Sequence, residues 1–82
     1  MQVEQFYSDD YAGLESGNLR FYYGYEVEDS LTEEWCFQVK KNGREIFRTT
    51  RSKIEESVDT NILLDKPQDY LISGIGMWLL LK

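Results

Sequence analysis

The sequence predicts an α+β domain, a three-stranded antiparallel β-meander with a C-terminal helix packed on one face and a short N-terminal helix, in α-β-β-β-α order. Three observations predict it. Residues 19–28 and 35–40 alternate side-chain character at period two and are rich in strand-favouring rings. Asn42-Gly43 separates two strand-like runs, and a type I′ turn needs positive φ at both central residues, which Asn and Gly tolerate best. The uncharged run from Tyr70 to Leu81, 12 residues long, carries helical spacing.

Val3, Phe6, Tyr7, Tyr11 and Leu14 recur close to one helical face, so a helix is expected over 2–12, and Gly13, Ser16, Gly17 and Asn18 then mark a loop. In the first strand Leu19, Phe21, Tyr23, Tyr25 and Val27 alternate with Arg20, Tyr22, Gly24, Glu26 and Glu28. An acidic connection over 28–34 leads to a second strand, with Trp35, Phe37 and Val39 on one side and Cys36, Gln38 and Lys40 on the other. The third strand runs from Arg44 to Thr50. A type I′ turn pairs Lys41 with Arg44, Lys40 with Glu45, Val39 with Ile46 and Phe37 with Arg48; a bulge at Gly43 shifts the register and pairs Phe37 with Phe47. Both registers fit the sequence.

Ser52 and Glu55 fit a capping box, and Ile54, Val58 and Ile62 recur at four-residue steps, which suits a short helix or a wrapped loop over 52–64. Asp65 as N-cap, Pro67 in the first turn and Gln68 at N3 open the last helix. Leu71, Ile75 and Trp78 share its buried face, widened by Ile72, Met77 and Leu79. Gly74 and Gly76 each cost about 1 kcal/mol relative to alanine in a helix interior, which close packing onto the sheet would offset. A final strand over 75–81 is the competing reading.

With 82 residues, 41% hydrophobic and 15% aromatic, the chain has room for one domain with one small, ring-rich core, and no large cofactor cleft is expected. Histidine is absent, which removes the usual general base near neutrality and the commonest metal ligand. The single cysteine, Cys36, has no disulfide partner within the chain, which favours a reducing compartment. No basic-then-apolar leader opens the sequence, and its longest uncharged run falls short of the roughly 20 apolar residues a spanning helix needs. A cytoplasmic location is the expectation.

The net charge of −6 conceals a reversal. Residues 1–35 hold nine acids against Arg20 alone, residues 36–54 hold six bases against Glu45 alone, and residues 55–82 hold five acids against two bases. The acidic first third has paired carboxylates at Asp9/Asp10, Glu26/Glu28/Asp29 and Glu33/Glu34. Without a calcium-loop pattern or convergent ligands they read as a solvated face, and no metal or other cofactor is expected. Cys36 has no histidine to deprotonate it and no CxxC partner, and Ser73-Gly74-Ile75-Gly76 lacks the Lys-Ser/Thr of a phosphate loop. No catalytic residues emerge, and the chain reads as a non-enzyme.

Two surfaces remain. The first is acidic and bears tyrosine: Asp9, Asp10, Glu26, Glu28, Asp29, Glu33 and Glu34, with Tyr22 pointing away from the other rings of its strand as the anchor. Tyrosine among carboxylates suits protein recognition, because it offers large area at small entropy cost. The expected partner is a protein with a basic surface, such as one that otherwise holds nucleic acid, and the expected role is that of an inhibitor or modulator from a phage or mobile element. The second surface is the basic stretch Lys40, Lys41, Arg44, Arg48, Arg51 and Lys53, which is edge protection or, as the alternative function, a direct nucleic-acid contact that the acidic body disfavours.

The α-β-β-β-α order is similar to that of the double-stranded-RNA-binding domain. That family contacts phosphate with a lysine-rich start to its last helix, where this chain has Asp65, Lys66, Pro67, Gln68 and Asp69. The same order, size and acidity also resemble certain phage-encoded inhibitors, including anti-CRISPR proteins that imitate nucleic acid with carboxylates, a likeness of class without a residue motif.

Overall fold

Period-two alternation, rather than helical spacing, organises the first 24 residues. The computed structural model describes residues 3–25, 34–58 and 63–81. Its elements are β1 (Val3–Tyr7), β2 (Tyr11–Ser16), β3 (Leu19–Gly24), β4 (Cys36–Lys41), β5 (Arg44–Thr50), α1 (Arg51–Ser57) and α2 (Pro67–Leu81). All five strands join one antiparallel sheet in sequential order. The expected three-stranded meander with an N-terminal helix is thereby corrected, and with it the order on which the likeness to the double-stranded-RNA-binding domain rested.

The segment expected to be a helix is β1, a tight connection and the start of β2. Ser8, Asp9 and Asp10 turn the chain: the Ser8 amide donates to the Tyr11 carbonyl at 2.9 Å and the Asp10 amide to Ser8 Oγ at 3.1 Å. Short polar side chains stabilise such turns by these local bonds. Pairing with β2 then satisfies a backbone that a lone short helix would hold only marginally. Gly13, expected in a loop, lies within β2 because the Phe6 ring of the paired strand covers it and leaves no room for a Cβ.

The Asn42-Gly43 turn forms with φ of 54° and 79°, and Lys41 faces Arg44 and Lys40 faces Glu45 as a type I′ hairpin requires. Beyond the tip a bulge between Val39 and Lys40 changes the register, so Val39 faces Phe47 and Phe37 faces Thr49. The expected Val39–Ile46 and Phe37–Arg48 pairs do not form, nor does the alternative Phe37–Phe47 pair. A bulge flips which face later residues occupy. Here it puts Phe47 on the helix side and brings Arg48 to the same side as Glu45, where Arg48 Nε lies 2.6 Å from Glu45 Oε1.

The helix side of the sheet contributes Ala12, Phe21, Tyr23, Phe37 and Val39 to the core, which Ile54 of α1 and Tyr70, Leu71 and Trp78 of α2 complete. Tyr23 stacks on Tyr70 with ring centroids 4.9 Å apart, and Phe21 meets the edge of Trp78 at 5.4 Å. Gly74 is buried against Phe37, whose ring atoms would lie 2.6 Å from an added Cβ, so the helix backbone rests directly on that ring. Residues 75–81 continue α2 and do not form a strand. Ile72 and Leu79, expected to widen the buried face, are 64% and 55% exposed, because the sheet covers only the stripe through Leu71, Gly74 and Trp78. No described helix is long and apolar enough to cross a membrane.

Both helix starts differ in detail from expectation. Thr50, not Ser52, caps α1, its Oγ1 accepting from the Lys53 amide at 3.3 Å. At α2 the cap is supplied by Asp69 rather than Asp65: Asp69 Oδ2 accepts from the amides of Lys66 at 2.9 Å and Asp65 at 3.1 Å. These bonds, the Lys66 amide foremost, hold the Asp69 carboxyl below its usual range. A carboxylate with a depressed folded-state pKa contributes stability above its unfolded value, about 3.9, and loses it as pH falls through the lower folded value. Asp69→Ala is expected to cost about 1 kcal/mol at pH 7, and its melting temperature should approach that of the wild type as the pH falls below about 4. A deficit that persists unchanged at pH 2 would show that the cap does not depend on the carboxylate charge.

Candidate functional site

On the sheet side opposite α2, alternation sets Phe6, Tyr11, Arg20 and Tyr22 together. The register places Gly13 across from Tyr22, Tyr11 from Gly24, and Glu15 from Arg20. Each ring therefore has a glycine opposite it on the paired strand and can lean across. Tyr11 and Tyr22 stack with centroids 6.1 Å apart and planes 15° from parallel, and Phe6 tilts against Tyr22 at 6.4 Å. The Arg20 guanidinium lies 5.6 Å from the centroids of both Phe6 and Tyr22, and its Nε is 3.4 Å from Glu15 Oε1.

Where β2 begins, β3 ends and β4 is about to begin, these rings open into a cleft of about 430 Å³ lined by Asp10, Tyr11, Tyr22, Tyr25 and Trp35. Trp35 braces it from the core side, tilted against the buried Tyr23 at 5.3 Å and edge-on to Tyr25 at 6.4 Å. Tyr25 is 48% exposed and Tyr11 36%, so the walls are reachable from solvent. Ring faces carry negative potential and Asp10 adds a formal charge, so the site attracts cations and offers flat apolar area to anything that carries one. Among the described residues, no group of three or more His, Cys, Asp or Glu is arranged to hold a metal ion.

Of the acids expected to act together, the three among the described residues do not share one cleft. Asp10 lines the aromatic cleft, whereas its neighbour Asp9 lines another, of about 370 Å³, with Tyr7, Ser8 and residues 65–68. Glu34 is engaged within the fold: its Oε1 accepts from the Ser52 amide at 3.0 Å and from the Ser52 hydroxyl, which ties the approach to β4 to the first turn of α1. The Ser52 hydroxyl and then its amide hold the Glu34 carboxyl below the usual range. Glu26, Glu28, Asp29 and Glu33 lie outside the described residues. Tyr22 projects away from Phe21 and Tyr23, as alternation requires, and lines the aromatic cleft together with Asp10.

The basic stretch is continuous in sequence but divided in space. Lys41 and Arg44 face each other at the exposed hairpin tip, and Lys40 faces Glu45. Arg48 is bound to Glu45, Arg51 Nε lies 3.8 Å from Glu55, and Lys53 Nζ lies 4.0 Å from Glu56. Arg51 also spreads over the Tyr70 ring, 4.8 Å from its centroid, while its Nε donates to the Tyr70 hydroxyl at 3.2 Å. The Gln38 amide, at 2.8 Å, and then Arg48 keep the Glu45 carboxyl below its usual range.

Tyr11, Tyr25 and Trp35 are the site residues the sequence reading missed. Helical spacing puts Tyr11 on the expected helix, and alternation puts Tyr25 with Phe21 and Tyr23 and Trp35 with Phe37 and Val39. The signal that finds them is the flanking of the β3 tyrosines by glycine and the placement of Trp35 just before a strand, where a ring can reach both the core and the rim. Comparison with family models, with curated proteins and with solved structures gives no match to this chain.

Proposed function

We propose that the chain is a non-enzymatic protein-interaction module whose acidic, tyrosine-bearing surface engages a basic protein partner. The observation that carries this reading is the convergence of Asp10 with four aromatic residues on one open cleft. Interaction hot spots favour rings that need little ordering on binding, and a cleft of this size holds one or two side chains of a partner. The net charge of −6 steers a basic surface toward it. Glu26, Glu28, Asp29 and Glu33 fall between Tyr25 and Glu34 in the chain and add charge to the same acidic third of the sequence. A small chain that occupies the basic surface of a nucleic-acid-binding protein acts as its inhibitor or modulator, and a phage or mobile-element product is the class that fits such a role.

The alternative, nucleic-acid contact through hairpin 40–53, draws on Lys41 and Arg44 at the exposed tip. The ion pairs at Arg48, Arg51 and Lys53 weigh against it, since phosphate would have to compete with carboxylates already in place.

Capture from a lysate at low salt, with the wild type and with an Asp10→Lys/Tyr11→Ser double variant side by side, tests the first reading. A basic protein retained by the wild type and lost by the variant supports it. A retained set indifferent to the double variant but lost with Lys41→Glu/Arg44→Glu overturns it in favour of the hairpin.

A further inference from the structure

Resting on the basic-partner reading, we infer that the cleft formed by Asp10, Tyr11, Tyr22, Tyr25 and Trp35 is an arginine-binding site, one that receives a guanidinium of the partner in preference to an ammonium.

The fold itself twice builds a receptor for guanidinium from one ring system and one carboxylate. Arg20 lies 5.6 Å from the centroids of Phe6 and Tyr22 with Nε 3.4 Å from Glu15. Arg51 lies 4.8 Å from the Tyr70 centroid with Nε 3.8 Å from Glu55. In both, the planar cation stacks on a ring while its edge reaches an acid. The cleft repeats the receiving half of that arrangement, with Tyr11, Tyr22, Tyr25 and Trp35 as faces and Asp10 as the acid, and among the described residues that line it none is Lys or Arg. Tyr22 is shared between the two: it is one of the rings beneath Arg20 and also a wall of the cleft.

Geometry selects guanidinium. A flat group can lie on a ring and at the same time present a fork of N–H donors to a carboxylate, whereas an ammonium is a compact point charge that holds its hydration more tightly. The walls suit stacking: the Tyr11 and Tyr25 rings are reachable from solvent, and indole, the strongest of the aromatic partners for a cation, forms another wall. A volume of about 430 Å³ accommodates an arginine side chain and part of the residue next to it.

Titration with tetra-arginine, tetralysine and tetracitrulline peptides, followed by calorimetry at low salt, separates charge from shape. Tetra-arginine should bind about five- to tenfold more tightly than tetralysine of equal charge, and tetracitrulline should not bind. Trp35→Leu and, as a milder surface change, Tyr11→Leu should erase the preference for arginine while leaving weak, salt-sensitive binding to both cationic peptides. Equal affinity for the two cationic peptides, or a preference untouched by both variants, overturns the arginine assignment and leaves the basic-partner reading standing. Failure of both cationic peptides to bind overturns the two together.

Discussion

Phe37→Ala should lower the unfolding free energy by about 3–5 kcal/mol, a large share of the roughly 4–12 kcal/mol expected for a chain of this length. Phe37 is fully buried in the middle of β4. It stacks on Phe21 at 6.5 Å, meets Phe47 nearly edge-on at 6.2 Å, and has the Gly74 backbone pressed against its face. Truncation would leave a cavity between sheet and helix that neither can close, since the helix is already as near as its backbone allows. Chemical denaturation followed by circular dichroism measures the loss. A shift below 1 kcal/mol would mean that α2 is not seated on this ring.

The two helical glycines should respond to the same substitution with opposite signs. At Gly74 an alanine Cβ would stand 2.6 Å from two Phe37 ring atoms, closer than such contacts ever come, so either the ring or the helix must move. Overpacking of this kind costs about 1–3 kcal/mol. At Gly76 an added Cβ meets nothing within 4 Å, and alanine recovers up to about 1 kcal/mol of helix propensity. Gly74→Ala should therefore melt below the wild type and Gly76→Ala above it. Stabilisation by both would place α2 farther from the sheet than the structure has it.

The sequence made the centre of the fold legible and its N-terminal edge illegible. The Asn42-Gly43 turn, the strand from Arg44 to Thr50 and the Pro67-led helix were all readable, because each depends on a local rule of turn or cap chemistry. The first 18 residues carry two competing patterns: Val3, Phe6, Tyr7, Tyr11 and Leu14 satisfy helical spacing by coincidence, whereas the Ser8-Asp9-Asp10 turn divides them into two strands. The bulge near Ile46 is set by the pairing of β4 with β5 and leaves no mark in either strand alone, so the side on which Arg48 ends was beyond a local reading.

The site followed the same division. Tyr22 was placed by alternation, which is a local property, and Asp10 by charge. Tyr11 and Trp35 reach the cleft only through tertiary geometry: Tyr11 by standing across from Gly24 and stacking on Tyr22, and Trp35 by standing just before β4 between the core ring Tyr23 and the rim ring Tyr25. Conversely, Glu34 looked free in sequence and is held by Ser52 in the fold.

The two tryptophans permit a direct test of the claim that a basic partner binds at the aromatic cleft. Trp35 lines it, whereas Trp78 is buried against Phe21 on the other side of the sheet, so one indole reports on the site and the other on the fold. In ¹H–¹⁵N correlation spectra recorded while a mixed lysine and arginine peptide is added at low salt, the Trp35 indole signal should move saturably and the Trp78 signal should stay in place. A stationary Trp35 signal while the peptide binds elsewhere, or equal movement of both indoles, would contradict it.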